Sequence, residues 1–214
     1  YKLIPKSKFI MKISIISGSS RASGQSGKMA RVMAQSLAAL EACTETYLLD
    51  LADNPLPLWD DSIWAGDEAW HQRLAPISAQ LTSSDALIII APEWHGMVPA
   101  GLKNFFLMWG KGELAHKPGL LVGVSSGEGG AYPIAELRMS SYKNNRICYL
   151  PEHLIIRDVE SVFNSNKDDN DPKAQAYLEG RLDYCLQLLL SYGEAFQQIR
   201  ASETSSLAVY RNGM

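Results

Sequence analysis

A chain of 214 residues, 46% hydrophobic and 20% charged, is long enough for one domain with a well-buried core. Twenty basic against 23 acidic side chains leave a net charge of −3, which provides no electrostatic footprint for nucleic acid or an anionic membrane. Three widely spaced cysteines, Cys43, Cys148 and Cys185, argue against a disulfide framework and fit a reducing cytoplasm, and no apolar run reaches membrane-spanning length.

Residues 1–10 are basic and lack a continuous apolar core. They read as an extension rather than a secretory signal, and Met11 opens the first strand directly. Residues 11–17 predict a buried strand, 26–40 a helix and 45–51 a second strand. The Asn-Pro-Leu-Pro run at 54–57 then predicts a rigid loop. Apolar periodicity over 68–83 predicts a second helix, which Pro76 should kink or break. Residues 86–90, Ala-Leu-Ile-Ile-Ile, are apolar throughout, as a central strand covered on both faces requires. Helices over 99–109 and 132–146, strands over 119–125 and 153–159, and a long helix over 172–200 follow. The tail over 201–214 is polar and is expected to fray.

Five strands alternating with helices predict an α/β domain over 11–200, a parallel sheet with helices on both faces. The flavodoxin-like order 2-1-3-4-5 suits an anion-binding loop after strand one. It places ligands at the carboxyl ends of strands one, three and four, around the switch point. Those three strand ends carry the unusual loops.

The first loop, Gly18-Ser19-Ser20-Arg21-Ala22-Ser23-Gly24-Gln25-Ser26, joins a strand to a helix N-terminus. Hydroxyls, amides, the helix dipole and one guanidinium make an anion cradle there. Neither a dinucleotide Gly-x-Gly-x-x-Gly nor a triphosphate Gly-x-x-x-x-Gly-Lys motif is present, so the chemistry suits a terminal monophosphate. The plainer alternative is a serine-rich helix cap. The second loop, Pro92-Glu93-Trp94-His95-Gly96-Met97-Val98-Pro99, gathers a Trp, a His and a Met at a strand end. A flat ring can lie against such groups; the plainer alternative is a hydrophobic loop packed on its own domain. The third loop, Ser125-Ser126-Gly127-Glu128-Gly129-Gly130, overlaps a Gly-x-Ser-x-Gly pattern at 123–127. A hydrolase elbow would need a helix starting at once, and an acid and then a histidine downstream. Only His153 follows, and Gly129-Gly130 delays the helix. The histidines and cysteines show no metal-ligand spacing, and none of them is expected to bind a metal.

Gly-Ser-Ser-Arg after strand one, with Pro-Glu-Trp-His-Gly-x-x-Pro-x-x-Leu-Lys-Asn after strand three, resembles the NADPH-dependent FMN reductase family. The resemblance covers about residues 11–200. It implies non-covalent FMN, with Ser19, Arg21, Gln25 and Ser26 at the phosphate and Pro92, Glu93, Trp94, His95 and Gly96 lining the isoalloxazine. Ser125, Gly127 and Gly130 would approach the flavin's pyrimidine edge, where amide donors stabilise the reduced state. NADPH or NADH would pass hydride through the flavin to a quinone, azo compound, free flavin or metal oxyanion, with Trp94, His95 and Met97 shaping the acceptor pocket and no side chain an obligatory acid or base. The family's usual Tyr-Asn pair after Pro-Glu is Trp94-His95 here, a departure that bears on substrate choice more than on flavin binding. The resemblance also implies a cytoplasmic homodimer or homotetramer. Trp59 reads equally as packed on its own domain or as reaching a neighbouring subunit's site. A flavodoxin-like electron carrier and an inactive ligand-binding protein are the competing readings.

Overall fold

A computed structural model describes residues 10–213. The strands β1 (Met11–Ser17), β2 (Cys43–Asp50), β3 (Ala86–Pro92), β4 (Pro118–Val124) and β5 (Cys148–Ile156) form one parallel sheet in the order β2-β1-β3-β4-β5. The helices are α1 (Gln25–Ala38), α2 (Glu68–Ser83), α3 (Ala100–Met108), α4 (Ala131–Met139) and α5 (Pro172–Arg200). This is the flavodoxin-like α/β fold.

Side-chain alternation along the strands builds two cores. Ile13 and Ile15 of β1, Ile88 and Ile90 of β3, and Leu120 and Val122 of β4 face α1 and α5, where Met29, Met33, Leu182 and Leu186 close over them. Ile16, Leu87, Ile89 and Leu121 face the other way, onto Trp70 and Leu74 of α2, Leu102 and Phe105 of α3, and Ile134 and Leu137 of α4. The central strands are covered on both faces, which explains why β3 is apolar throughout.

Three expected boundaries change. Helix α2 runs through Pro76 without a break. Both Pro76 and Gln72, whose carbonyl loses its helical partner, are exposed, so water can take the freed bond. Helix α4 stops at Met139 rather than reaching residue 146. The hydroxyls of Ser140 and Ser141 turn back to the carbonyls of Glu136 and Leu137, and Ser141 adopts φ 67°. Strand β5 begins at Cys148 and ends at Ile156, not over 153–159. Tyr149 pairs with Gly119 and His153 with Leu121, so β5 bulges between them. The bulge holds Pro151, which has no N–H to give a ladder, on an edge strand where that is tolerated.

The end of the sheet at the strands' amino termini is tied by ions. Asp85 accepts from Lys12 N at 3.1 Å, Gln197 Nε2 at 2.9 Å and Arg200 Nη2 at 2.8 Å. Lys117, only 3% exposed, donates to the carbonyls of Leu81, Thr82 and Glu113 at 2.5, 2.8 and 2.8 Å. It thereby closes the C-terminus of α2. The expected extension over 1–9 lies outside the described residues. The tail, instead of fraying, turns through a short 3₁₀ segment, Glu203–Ser205, and is held by Arg146, which donates to the carbonyls of Tyr210 and Arg211.

Candidate functional site

The carboxyl ends of β1, β3 and β4 bring the three loops together. Gly18 N donates to Ile90 O at 2.8 Å, and Glu93 N to Val124 O at 2.9 Å, so each loop is pinned to the neighbouring strand's end. Strands β1 and β3 are neighbours, and the connection from β1 runs outward to β2 while that from β3 runs the other way to β4, which opens the crevice that the topology predicts.

The first loop is shaped by its own polar groups. Buried Ser19 accepts from Arg21 N at 3.2 Å, and Gly24 N donates to Arg21 O at 2.9 Å. Any side chain at Gly24 would collide with Ser19 Oγ, 2.5 Å from an added Cβ. Gly24 is the N-cap of α1 and supplies no capping side chain; Gly27 N donates back to Gly24 O at 3.1 Å, and the amides of Gln25 and Ser26 keep their donors. Among the described residues four buried side-chain atoms lack a partner. Three of them, Ser17 Oγ, Gln25 Oε1 and Ser26 Oγ, fall at this strand–helix junction; the fourth is Trp109 Nε1. Arg21 is exposed and has no ion pair among the described residues; its guanidinium carbon stands over the Trp94 ring, 5.7 Å from the centroid.

The second loop is a miniature hairpin. Trp94 N donates to Met97 O at 3.1 Å and Met97 N to Trp94 O at 2.9 Å. His95 and Gly96 between them take φ 49° and 73°, the paired left-handed conformation of a type I′ turn. Trp94, His95 and Met97 therefore project from a defined corner, all exposed, while Pro92 closes β3 behind them. Glu93 points elsewhere. Its carboxylate accepts from Gly130 N at 2.5 Å, at the N-terminus of α4, and links the second loop to the third.

The third loop is held from below. Gly127 N donates to Ser125 Oγ at 3.2 Å, Asp158 N to Gly127 O at 3.2 Å, and Arg157 Nε to Glu128 O at 2.6 Å. The hydrolase elements are not brought together. Ser125 follows β4 beyond its carboxyl end, whereas His153 pairs with Leu121 inside the sheet and meets Arg138 at 3.4 Å.

Helix α3 organises these loops through three successive residues. Leu102 packs so closely on Gly18 that an added Cβ there would lie 2.6 Å from Leu102 Cδ2. Lys103 pairs with Glu136 of α4, and the other oxygen of Glu136 accepts from Val98 N at 2.7 Å. Buried Asn104 accepts from Trp59 N at 2.8 Å and donates to Pro57 O at 2.7 Å, fixing the loop after β2. The Leu-Lys-Asn triplet was visible in the sequence; its partners Gly18, Glu136, Trp59 and Pro57 were not, because they lie 33 to 84 residues away. Trp59 packs edge-on against Trp64 at 4.8 Å and lies against the α2–α3 core. Phe105, Phe106 and Trp109 are buried in the core.

A family model described as NADPH-dependent FMN reductase matches residues 11–160. The chain belongs to that family. Membership places it among the oxidoreductases. It is 27% identical over 180 residues to a 2-hydroxy-1,4-benzoquinone reductase of Burkholderia sp., covering 81% of this chain and 93% of that protein. It is 24% identical to a quinone reductase of Escherichia coli strain K12, over 89% of this chain and 97% of that one. A match at 27% identity to an NADPH azoreductase of Bacillus sp. strain OY1-2 covers 55% of this chain and spans 60% of that relative. Among solved structures, the flavoenzyme FerB of Paracoccus denitrificans superposes with a TM-score of 0.68 at 21% identity, over 87% of this chain and 99% of FerB. That likeness bears on the fold.

A cavity of about 1720 Å³ lies on the α2–α3–α4 face, walled by Trp59, Trp70, Phe106 and Trp109. Its lining includes none of residues 18–26 or 125–130, so it is not the crevice of the three loops. Among the described residues no group of three or more His, Cys, Asp or Glu side chains could hold a metal ion, and no helix is long and apolar enough to cross a membrane.

Proposed function

We propose that this protein is an NAD(P)H-dependent oxidoreductase that binds FMN across the three loops and reduces a small acceptor of the quinone or azo class. The observation that carries the reading is the set of unspent polar groups at the start of α1. A phosphate fits them. The Ser26 hydroxyl is buried without a partner, the amides of Gln25 and Ser26 keep their donors, and the Arg21 guanidinium has no ion pair among the described residues. Gln25 Oε1 lacks a donor, which a hydroxyl of the ribityl chain would supply. FMN, when bound, supplies the hydride chemistry. The protein supplies position and field: Trp94, His95 and Met97 shape the face that the nicotinamide and acceptor approach. The amides of Ser125, Gly127 and Gly130 donate to Ile156 O, Ser125 Oγ and Glu93, which leaves those of Ser126, Glu128 and Gly129 for the flavin's polar edge. Glu93 and Pro92 hold that arrangement from behind.

A second copy of the chain is expected against the α2–α3–α4 face, because Trp64 and Leu107 line its cavity with 80% and 61% of their surface exposed. Three free cysteines support a reducing, cytoplasmic setting. The deciding experiment is the visible spectrum of the protein with FMN, followed by anaerobic NADPH or NADH. Bound flavin that bleaches, with catalytic NAD(P)H oxidation on adding a quinone, is expected. Absence of flavin binding overturns the reading, and bound flavin without turnover moves it to an electron carrier.

A further inference from the structure

We infer that Trp94 is a positioning residue for phosphate recognition, its indole holding the Arg21 guanidinium across the crevice while leaving the N–H donors free for an anion. The inference rests on the FMN reading above. Arg21 is exposed, it pairs with no carboxylate among the described residues, and its guanidinium carbon lies over the Trp94 ring, 5.7 Å from the centroid. An acidic partner would occupy the guanidinium fork and cancel its charge. An aromatic ring attracts the cation through its quadrupole and takes up none of the donors in ion-pair hydrogen bonds.

Both ends of this contact are built rather than incidental. Arg21 is fixed by both backbone groups, its N–H to Ser19 Oγ and its carbonyl to Gly24 N. Trp94 is fixed by the two bonds of its hairpin with Met97, across a turn that needs left-handed backbone at His95 and Gly96. A free arginine loses considerable side-chain freedom on gripping a phosphate. An arginine already held over a ring has lost part of it beforehand. Trp also presents the strongest ring quadrupole of the aromatic side chains, so the departure from the family's usual Tyr strengthens this contact. The loop expected to line the flavin ring therefore also tunes the grip on the phosphate at the cofactor's other end.

The test compares FMN with riboflavin, which lacks the phosphate, by quenching of flavin fluorescence on flavin-free protein. Trp94→Leu is expected to reduce the FMN-to-riboflavin affinity ratio by about two- to fivefold, the scale of one exposed cation–π contact, whereas Trp94→Phe keeps most of the ratio. In an Arg21→Ala background, Trp94→Leu is expected to leave the ratio where it is. If Trp94→Leu weakens both ligands equally in the parent chain, Trp94 serves the ring alone and the inference is overturned while the FMN reading stands. A parent chain that binds neither flavin overturns both.

Discussion

The two ends of the sheet use the same chemical groups in opposite ways. At the amino-terminal end, Lys117 satisfies two carbonyls at the finish of α2 and a third, Glu113 O, in the segment before β4, and Asp85 gathers a lysine amide, a glutamine and an arginine. At the carboxyl end, the start of α1 has no side-chain cap, two of its buried polar atoms lack partners, and Arg21 rests on an aromatic ring. A helix terminus and a cation stabilise the fold in one place and stay free for a ligand in the other. The difference separates the two ends without reference to any relative: Asp85 and Lys117 are paired internally, whereas the side chains of Gln25 and Ser26 are buried without partners.

Breaking the paired end costs stability first. Asp85→Ala leaves Arg200 without its carboxylate and is expected to cost about 3–4 kcal/mol in urea unfolding, with flavin affinity of the folded fraction unchanged. Asn104→Ala, which strands Trp59 N–H and Pro57 C=O, is expected to cost about 2–3 kcal/mol and also to loosen the loop after β2, seen as faster amide exchange there. Lys117 sharpens the contrast through pH. Burial first, then Arg200, lowers its pKa from 10.5 to about 7. Between those values the unfolded chain binds the proton that the folded chain does not, so stability rises with pH across the window. From pH 7 to 9 the rise attributable to Lys117 approaches ~2 kcal/mol, and Lys117→Met is expected to flatten it in urea unfolding curves.

The unpaired end should behave in the reverse sense. Arg21→Ala is expected to change unfolding free energy by less than about 0.5 kcal/mol, yet to weaken FMN by about tenfold or more. A variant that lost stability without losing FMN affinity would erase the distinction between the two ends. The smallest effect belongs to the hairpin. His95→Asn suits a type I′ turn better and is expected to raise stability by a few tenths of a kcal/mol, read as a small upward shift in Tm.

The layers of the fold were legible because strand and helix periods are local. The run at 86–90 announced a doubly covered strand, and the glycine- and serine-rich loop after β1 announced the start of a helix. What was not legible depended on partners distant in sequence. Nothing local shows that Glu93 turns to Gly130 rather than into the crevice, or that Glu136 receives both Lys103 and Val98. The early start of β5 was hidden by Pro151, which reads as a strand breaker until an edge bulge accommodates it. The type I′ turn was hidden by His95, because histidine in that conformation is uncommon where Asn-Gly would have signalled it.

Successive residues of a helix point about 100° apart, so the triplet at 102–104 faces three directions within less than one turn. One of these residues touches the phosphate-loop candidate, the next the hairpin's support and the third the loop after β2. The helical phase of α3 is therefore a single setting shared by three walls of the crevice. A one-residue insertion or deletion between Pro99 and Leu102 would rotate all three contacts together and unhook them at once. Length changes in the exposed tips of the same loops carry no such penalty. Loop tips can drift in length and chemistry, while the short stretch that enters α3 stays locked in count.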